Sequence, residues 1–272
     1  MPQNPGRTSA DETRVSVVIP YSPEHTPAKM LEEAKQSVKK QSVPTEIVVV
    51  EDTEQRGPAW ARNQGIEKAS SRFVAFLDSD DIWYDGKLSA QIRCLSASQA
   101  GICVQGEYND PKLFMKDLFV MNTSSLTSSI LIDTHKVGVR FEEELERRED
   151  HLFILEAIEM SGGCFLPSLV KIRKHRNGLS SRNTPELRVE QNELFLEFVA
   201  ERVGKPFVEQ YEDELFRRLY HRIGRAEHRD GRYKSAVEYF CSSLFHGISI
   251  KTIISMFLSI FKYITSTIYT SK

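Results

Sequence analysis

Phe73, Val74, Ala75, Phe76 and Leu77 form a short apolar run that stops abruptly in Asp78, Ser79, Asp80 and Asp81. A run of that length without helical period reads as a buried parallel strand, and ligands in open α/β sheets gather beyond the carboxyl ends of such strands. Carboxylates so close together repel unless a cation or a hydrogen-bond network holds them. Hard oxygen ligands with room for water suit Mg2+ or Mn2+ bridging phosphate oxygens. The same acids also make an ordinary turn capping a helix expected over 85–98, because Asp is a favoured N-cap. The neighbouring segments bear on that choice.

Upstream, 15–19 is an apolar strand ended by Pro20, and 29–41 follows with Leu31, Ala34 and Val38 at helical spacing. A second strand over 46–50 ends in Glu51 and Asp52, and 58–69 is a helix with proline in its first turn. The order βαβαβ implies parallel pairing with right-handed crossovers, which brings Tyr21, Asp52 and Asp80 to one sheet edge from distant points of the chain. Further on, 128–132 is strand-like and 150–160 is helical through Leu152, Leu155, Ala157 and Ile158, so the second half is mixed.

The 272 residues give room for one large domain or a domain with a helical appendage. A formal charge of −2 provides no global field for nucleic acid, so an anionic ligand has to be held by a local site and DNA or RNA binding is not expected. Cys94, Cys103, Cys164 and Cys241 are scattered without a CxxC spacing. They read as buried small apolar residues of a reducing compartment rather than a structural zinc site. Residues 1–14 are polar, with Pro2, Pro5 and Gly6 and no apolar core, and read as neither signal nor transit peptide, so the expected location is cytoplasmic.

From Glu186 the pattern is almost wholly helical, over 194–203, 207–227 and 233–245. Gly231, Tyr233, Ala236 and Phe240 resemble one helical-hairpin repeat, read as a packing hairpin because arrays need several. Residues 248–269 set Ile250, Ile253, Ile254, Phe257, Leu258, Ile260, Phe261, Ile264 and Ile268 on a wide face opposite Lys251, Ser255, Ser259, Lys262 and Ser266. Its uninterrupted apolar core is far short of the ~20 residues that span a bilayer, which leaves two readings open: an interfacial helix on the cytoplasmic face of a membrane, or a helix packed on the domain.

Four motifs fall in one order: Val17-Val18-Ile19-Pro20-Tyr21, Glu46-Ile47-Val48-Val49-Val50-Glu51-Asp52, Ala61-Arg62-Asn63-Gln64-Gly65 and Phe76-Leu77-Asp78-Ser79-Asp80-Asp81. Together they resemble the nucleotide-sugar-binding half of a family 2 glycosyltransferase with the GT-A fold. The downstream half resembles the same family through Ser128-Ser129-Ile130-Leu131-Ile132, Glu149-Asp150 and Arg173-Lys174-His175. The resemblance implies an α/β chain with a GT-A type, Rossmann-like mixed sheet flanked by helices and an α-helical C-terminal extension. The boundaries follow as a flexible N-terminus over 1–13 and a GT-A domain over 14–183, divided into a nucleotide-sugar half over 14–100 and an acceptor half over 101–183. A helical extension over 184–246 and an amphipathic helix over 247–272 complete the chain.

The implied roles transfer residue by residue. Pro20, Tyr21, Asp52, Arg62, Asp78 and Ser79 fall at donor-binding positions, with Tyr21 near the base and Asp52 accepting a base N–H, a contact that favours uracil. Arg62 brings a planar donor fork suited to ribose or diphosphate. Asp78, Asp80 and His175 fall at metal-binding positions for Mn2+ or Mg2+. Asp150 falls at the general base that takes the proton of an acceptor hydroxyl, with Glu51 and Glu149 in support. Against these stand plain structural readings: a core phenol for Tyr21, a surface ion pair for Arg62, and a helix-dipole contact for Glu149 and Asp150. Ser22, Glu51 and Thr53-Glu54 depart from the family pattern near the base, and no residue selects the sugar.

The implied activity is inverting, metal-dependent transfer of a sugar from a nucleoside diphosphate, UDP-linked, to a saccharide or lipid-linked acceptor hydroxyl. Two other chemistries fit less well. An aspartyl phosphohydrolase carries its DxD on the first strand, and a nucleotidyltransferase needs a Gly-rich basic loop after it, yet residues 21–27 hold neither Gly nor Lys. The alternative class is a degenerate GT-A module acting as a membrane or partner scaffold.

Overall fold

A computed structural model describes residues 13–173 and 184–270 of the chain. They divide into two compact units, one of 13–115 with 124–173 and one of 116–123 with 184–270.

The first unit opens with β1 (Val15–Tyr21), α1 (Ala28–Lys39), β2 (Thr45–Glu51), α2 (Pro58–Lys68) and β3 (Phe73–Phe76). β1 pairs in parallel with β2, from Val15↔Thr45 to Tyr21↔Glu51, and with β3, from Val15↔Phe73 to Val18↔Phe76. Val15, Val17, Val18 and Ile19 are wholly buried, which is why β1 reads as a continuous apolar run and not as an alternating one. α2 lies unusually close to this strand because Gly65 faces it, and a Cβ there would stand 2.1 Å from Val18 Cγ1.

The sheet continues through β5 (Ile102–Gln105), β6 (Leu131–Asp133) and β7 (Gly163–Leu166) in the order β2-β1-β3-β6-β5-β7. β6 runs antiparallel to both β3 and β5, whereas β5 and β7 are parallel, so the sheet is mixed. A separate two-stranded ribbon joins β4 (Ile82–Trp83) to β8 (Val170–Lys171). α3 (Lys87–Ser98), α4 (Pro111–Phe119) and α5 (Glu149–Ser161) complete the elements up to β8, α4 entering the second unit with its last residues.

The strand expected over 128–132 begins later. Thr127–Ser129 is a 3-10 turn, because the Ser128 hydroxyl is engaged by the Asp78–Asp81 turn, and the ladder starts only at Leu131.

The second unit holds α6 (Pro185–Val199), α7 (Lys205–Arg229), α8 (Tyr233–Phe245) and α9 (Ile250–Thr270), with a π-helical turn at Ala200–Gly204. Thr184 caps α6 by accepting the Leu187 N–H. Residues 116–123, which the sequence reading placed in the acceptor half, cluster here because Phe119 packs edge-on to Phe207 at 5.1 Å and against Phe195 at 5.9 Å.

α9 docks the opposite way round from an ordinary amphipathic helix. Thr252 and Ser259 are its buried residues, bonded to His221 Nδ1 and His228 Nδ1 of α7, while Ile250, Ile254, Phe257, Leu258, Phe261 and Ile264 are each more than half exposed. No helix among the described residues is long and apolar enough to cross a membrane.

Candidate active site

Parallel pairing points the carboxyl ends of β1, β2 and β3 the same way. Tyr21 closes β1, and its carbonyl accepts the N–H of Asp52 at 2.8 Å. The Asp52 carboxylate turns back on its own loop and accepts the N–H groups of Arg56 at 2.9 Å and Gly57 at 2.8 Å. This closes residues 53–57 into a tight turn in which Gln55 and Gly57 take φ of 57° and 101°, the second affordable only to glycine without strain. Pro58 then starts α2.

α2 delivers two consecutive buried side chains. Arg62 extends Nη1 to Glu149 at 3.0 Å and Nη2 to Asp78 at 2.9 Å, while its Nε is buried without a hydrogen-bond partner among the described residues. Burial works against its charge, but Asp78, Glu149 and Asp150 outweigh that cost and hold the guanidinium above its ordinary pKa. Asn63 reaches the loop before α5, donating to the Phe141 carbonyl and accepting the Phe141 N–H, both at 2.9 Å. Phe141 in turn stacks on Phe153 with centroids 4.2 Å apart and lies under the Arg62 guanidinium.

The acidic turn after β3 is tied down from several sides. Ser128 Oγ accepts the Asp78 N–H at 3.0 Å and donates to Asp81 Oδ2 at 2.7 Å, and Ser79 Oγ bonds Thr26 Oγ1 at 3.2 Å. Arg173, just beyond β8, donates to the carbonyls of Ser79, Asp80 and Met30 and pairs with Glu33. Burial pushes the Asp81 carboxyl up to about 6, Asp78 and Asp80 adding to it and the Ser128 hydroxyl opposing. Asp81 is therefore an internal brace, and Asp78 and Asp80 are the acids of this turn left partly open to solvent.

Glu149 and Asp150 head α5. Arg148, immediately before them, takes φ of 67°, a left-handed conformation rare for a residue with a side chain. Asp150 Oδ1 accepts the His151 N–H at 2.8 Å. Burial, reinforced by the Asp150 charge and opposed by Arg62, raises Glu149 to about 7. Burial also raises Asp150, with Asp78 adding to the effect and Arg62 and the His151 amide opposing it. A carboxylate raised in this way is a stronger base near neutral pH than a solvated one.

The structure thus brings Arg62, Asp78, Glu149 and Asp150 into one cluster, with Ser79 and Asp80 on the adjoining turn. Pro20, Tyr21, Glu51 and Asp52 stand at the ends of β1 and β2. His175 lies outside the described residues. Sequence reasoning gave no role to Asn63, Asp81, Ser128 or Arg173, although each sits inside or beside a quoted motif. Polar residues embedded in otherwise apolar strand and helix ends were the available signal. Cys241 also departs from expectation, being exposed on α8 instead of buried.

Residues 44–117 match the sequence profile of Glycosyl transferase family 2. Among curated proteins, the chain is 30% identical over 117 residues to a putative teichuronic acid biosynthesis glycosyltransferase, TuaG, of Bacillus subtilis, covering 38% of this chain and 46% of that one. It is 60% identical over 37 residues to an Escherichia coli UDP-Glc:alpha-D-GlcNAc-diphosphoundecaprenol beta-1,3-glucosyltransferase, WfgD, covering 14% of this chain and 15% of that one. The chain spans less than half the length of these curated relatives. Among solved structures, S. aureus TarS in complex with UDP-GlcNAc superposes with a TM-score of 0.59 at 18% identity, over 85% of this chain and 81% of that one. A mannosyltransferase of Pyrobaculum calidifontis in complex with GDP-Man and Mn2+ gives 0.54 at 15% identity, over 88% and 77%. Identities this low speak for the fold alone: the chain has the GT-A fold, and within it residues 44–117 are similar to glycosyl transferase family 2.

Proposed function

We propose that the chain is an inverting glycosyltransferase that moves a sugar from a UDP-linked donor to an acceptor hydroxyl. The observation that carries this reading is the partly buried Asp150, raised in pKa and joined through Arg62 to the acidic turn at the carboxyl end of β3. The donor nucleotide would lie over the ends of β1 and β2 near Tyr21 and Asp52, with its diphosphate toward Asp78, Ser79 and Asp80. Asp150 would then take the proton of the acceptor hydroxyl as that oxygen attacks the anomeric carbon from the side opposite the leaving diphosphate. This inverts the configuration. Glu149, protonated over part of the neutral range, would limit the negative charge around that base.

Asp78 and Asp80 offer the hard oxygen donors that Mg2+ and Mn2+ take, on a turn already fixed by Ser128 and Arg173, so the donor set fits such an ion. A bound divalent ion would supply neutralisation of the charge developing on the diphosphate. Asp80→Asn should weaken Mn2+-dependent UDP-sugar binding strongly and leave the melting temperature of the free protein unchanged, as read by calorimetric titration and thermal denaturation. Equal affinities in variant and wild type would remove Asp80 from the metal site. Donor hydrolysis with added metal separates an enzyme from a scaffold built on a degenerate GT-A fold.

For the acceptor, a lipid-linked saccharide at a membrane surface is the reading we adopt. WfgD is by its name a glucosyltransferase acting on a diphosphoundecaprenol-linked sugar, and α9 turns its apolar side outward in this chain. Residues 245–272 contain Lys251, Lys262 and Lys272 and no Asp or Glu, a charge balance complementary to anionic headgroups. The full chain should therefore pellet with anionic vesicles at low salt, and Phe257→Glu with Phe261→Glu should leave it in the supernatant while donor hydrolysis persists. Wild-type protein that stays in the supernatant would exclude peripheral docking through 248–269.

A further inference from the structure

Cys94, Cys103 and Cys164 come from three different elements and have no sequence spacing in common. Cys103 on β5 and Cys164 on β7 are register partners in adjacent parallel strands, and Cys94 projects from α3 to the same point. Their sulfurs all lie within 4.8 Å of one another. An ion about 2.3 Å from each of three sulfurs holds them about 4 Å apart or closer, so the thiols have to draw together by about an ångström to share one centre. Cys103 is wholly buried and Cys164 nearly so, whereas Cys94 is half-buried and opens the cluster to solvent.

We propose that Cys94, Cys103 and Cys164 form a three-thiol binding site for a soft, trivalent thiophilic ion of the arsenic(III) type, entered from the Cys94 side. Softness follows from an all-sulfur donor set. The valence follows from charge. Cys103 and Cys164 lie in the same apolar core cluster as Leu95, Ala100 and Leu131, where an uncompensated charge is costly. A divalent ion held by all three sulfurs as thiolates would leave a net negative charge beside an apolar sheet. A trivalent one leaves none. With arsenous acid the step balances without an oxidant: three S–As bonds form, three As–O bonds break, and the thiol protons leave with the hydroxides as three waters.

Cys241, exposed on α8, provides an internal control. The test uses the full chain under a phosphine reductant, titrated with arsenite and then assayed for free thiols after acid quench and denaturation. The expected result is one arsenite per chain, loss of three titratable thiols with Cys241 still reactive, and a rise in melting temperature. Cys94→Ser, the change least disruptive to the core, should weaken binding by about a hundredfold through loss of one preorganised ligand, and Cys241→Ser should not alter it. Wild type that keeps all its thiols, or Cys94→Ser that binds as tightly as wild type, would overturn the site. Tighter binding of Cd2+ than of arsenite would overturn the charge argument and its choice of ion.

Discussion

Asp150→Asn is expected to bind a UDP-sugar as wild type does and to transfer it about 10² to 10⁴ times more slowly, the usual cost of losing a positioned general base. The amide keeps the volume of the carboxylate and can still accept the His151 N–H, so the head of α5 should stay in place. The wild-type rate should fall on acidification at a pH above the ordinary carboxylate range, because burial raises Asp150. Single-turnover transfer beside equilibrium donor binding separates the two effects. A variant as fast as wild type would reduce Asp150 to a helix-end residue.

Arg62→Met should be the most destabilising of the site substitutions. It removes a cation paired with both Asp78 and Glu149 and leaves Glu149, whose charged form burial already disfavours, without that partner. Breaking a buried ion pair from one side costs about 3–5 kcal/mol. The sign with pH is specific. Without Arg62 the folded-state pKa of Glu149 moves higher still, starting from about 7, while the unfolded value stays near 4.5. The proton on Glu149 therefore favours the folded variant fully below about 4.5, and this help is lost as pH rises through the folded-state pKa. Urea denaturation should show the largest deficit above pH 7 and a smaller one near pH 5. A deficit independent of pH would mean that the loss is one of packing over Phe141 instead of charge.

Much of the first unit was legible because β1 and β3 are buried on both faces and betray themselves as apolar runs, and the half-buried edge strand β2 is apolar too. Residues 15–19, 46–50 and 72–77 needed no partner to be recognised, and the acids ending them pointed at the edge where Asp78 and Asp80 stand. The ribbon of Ile82–Trp83 with Val170–Lys171 was not legible, since strands of two residues carry no period and their pairing is set at long range. The same holds for Asn63, whose side chain replaces a ladder hydrogen-bond pair with Phe141, far along the chain. For 248–269 the periodicity was right, yet a hydropathy pattern carries no record of which side meets the protein. Only the bonds from Thr252 and Ser259 to histidines of α7 decide that.

The close seating of α2 on β1 has a bearing on how charge is aligned above the sheet. Gly65 lies one helical turn beyond Arg62, and the absent Cβ is what lets the helix rest against Val18. A guanidinium has a fixed reach, and here both of its outer nitrogens are at bonding distance to acids borne by two other elements. Lifting the helix by even a methyl group's thickness would open one of those gaps or drag the acids after it. The registration of an ionic cluster to a few tenths of an ångström is thus machined by an apolar contact one turn along the helix, and the mutational tolerance of the charges is inherited from a residue that carries none.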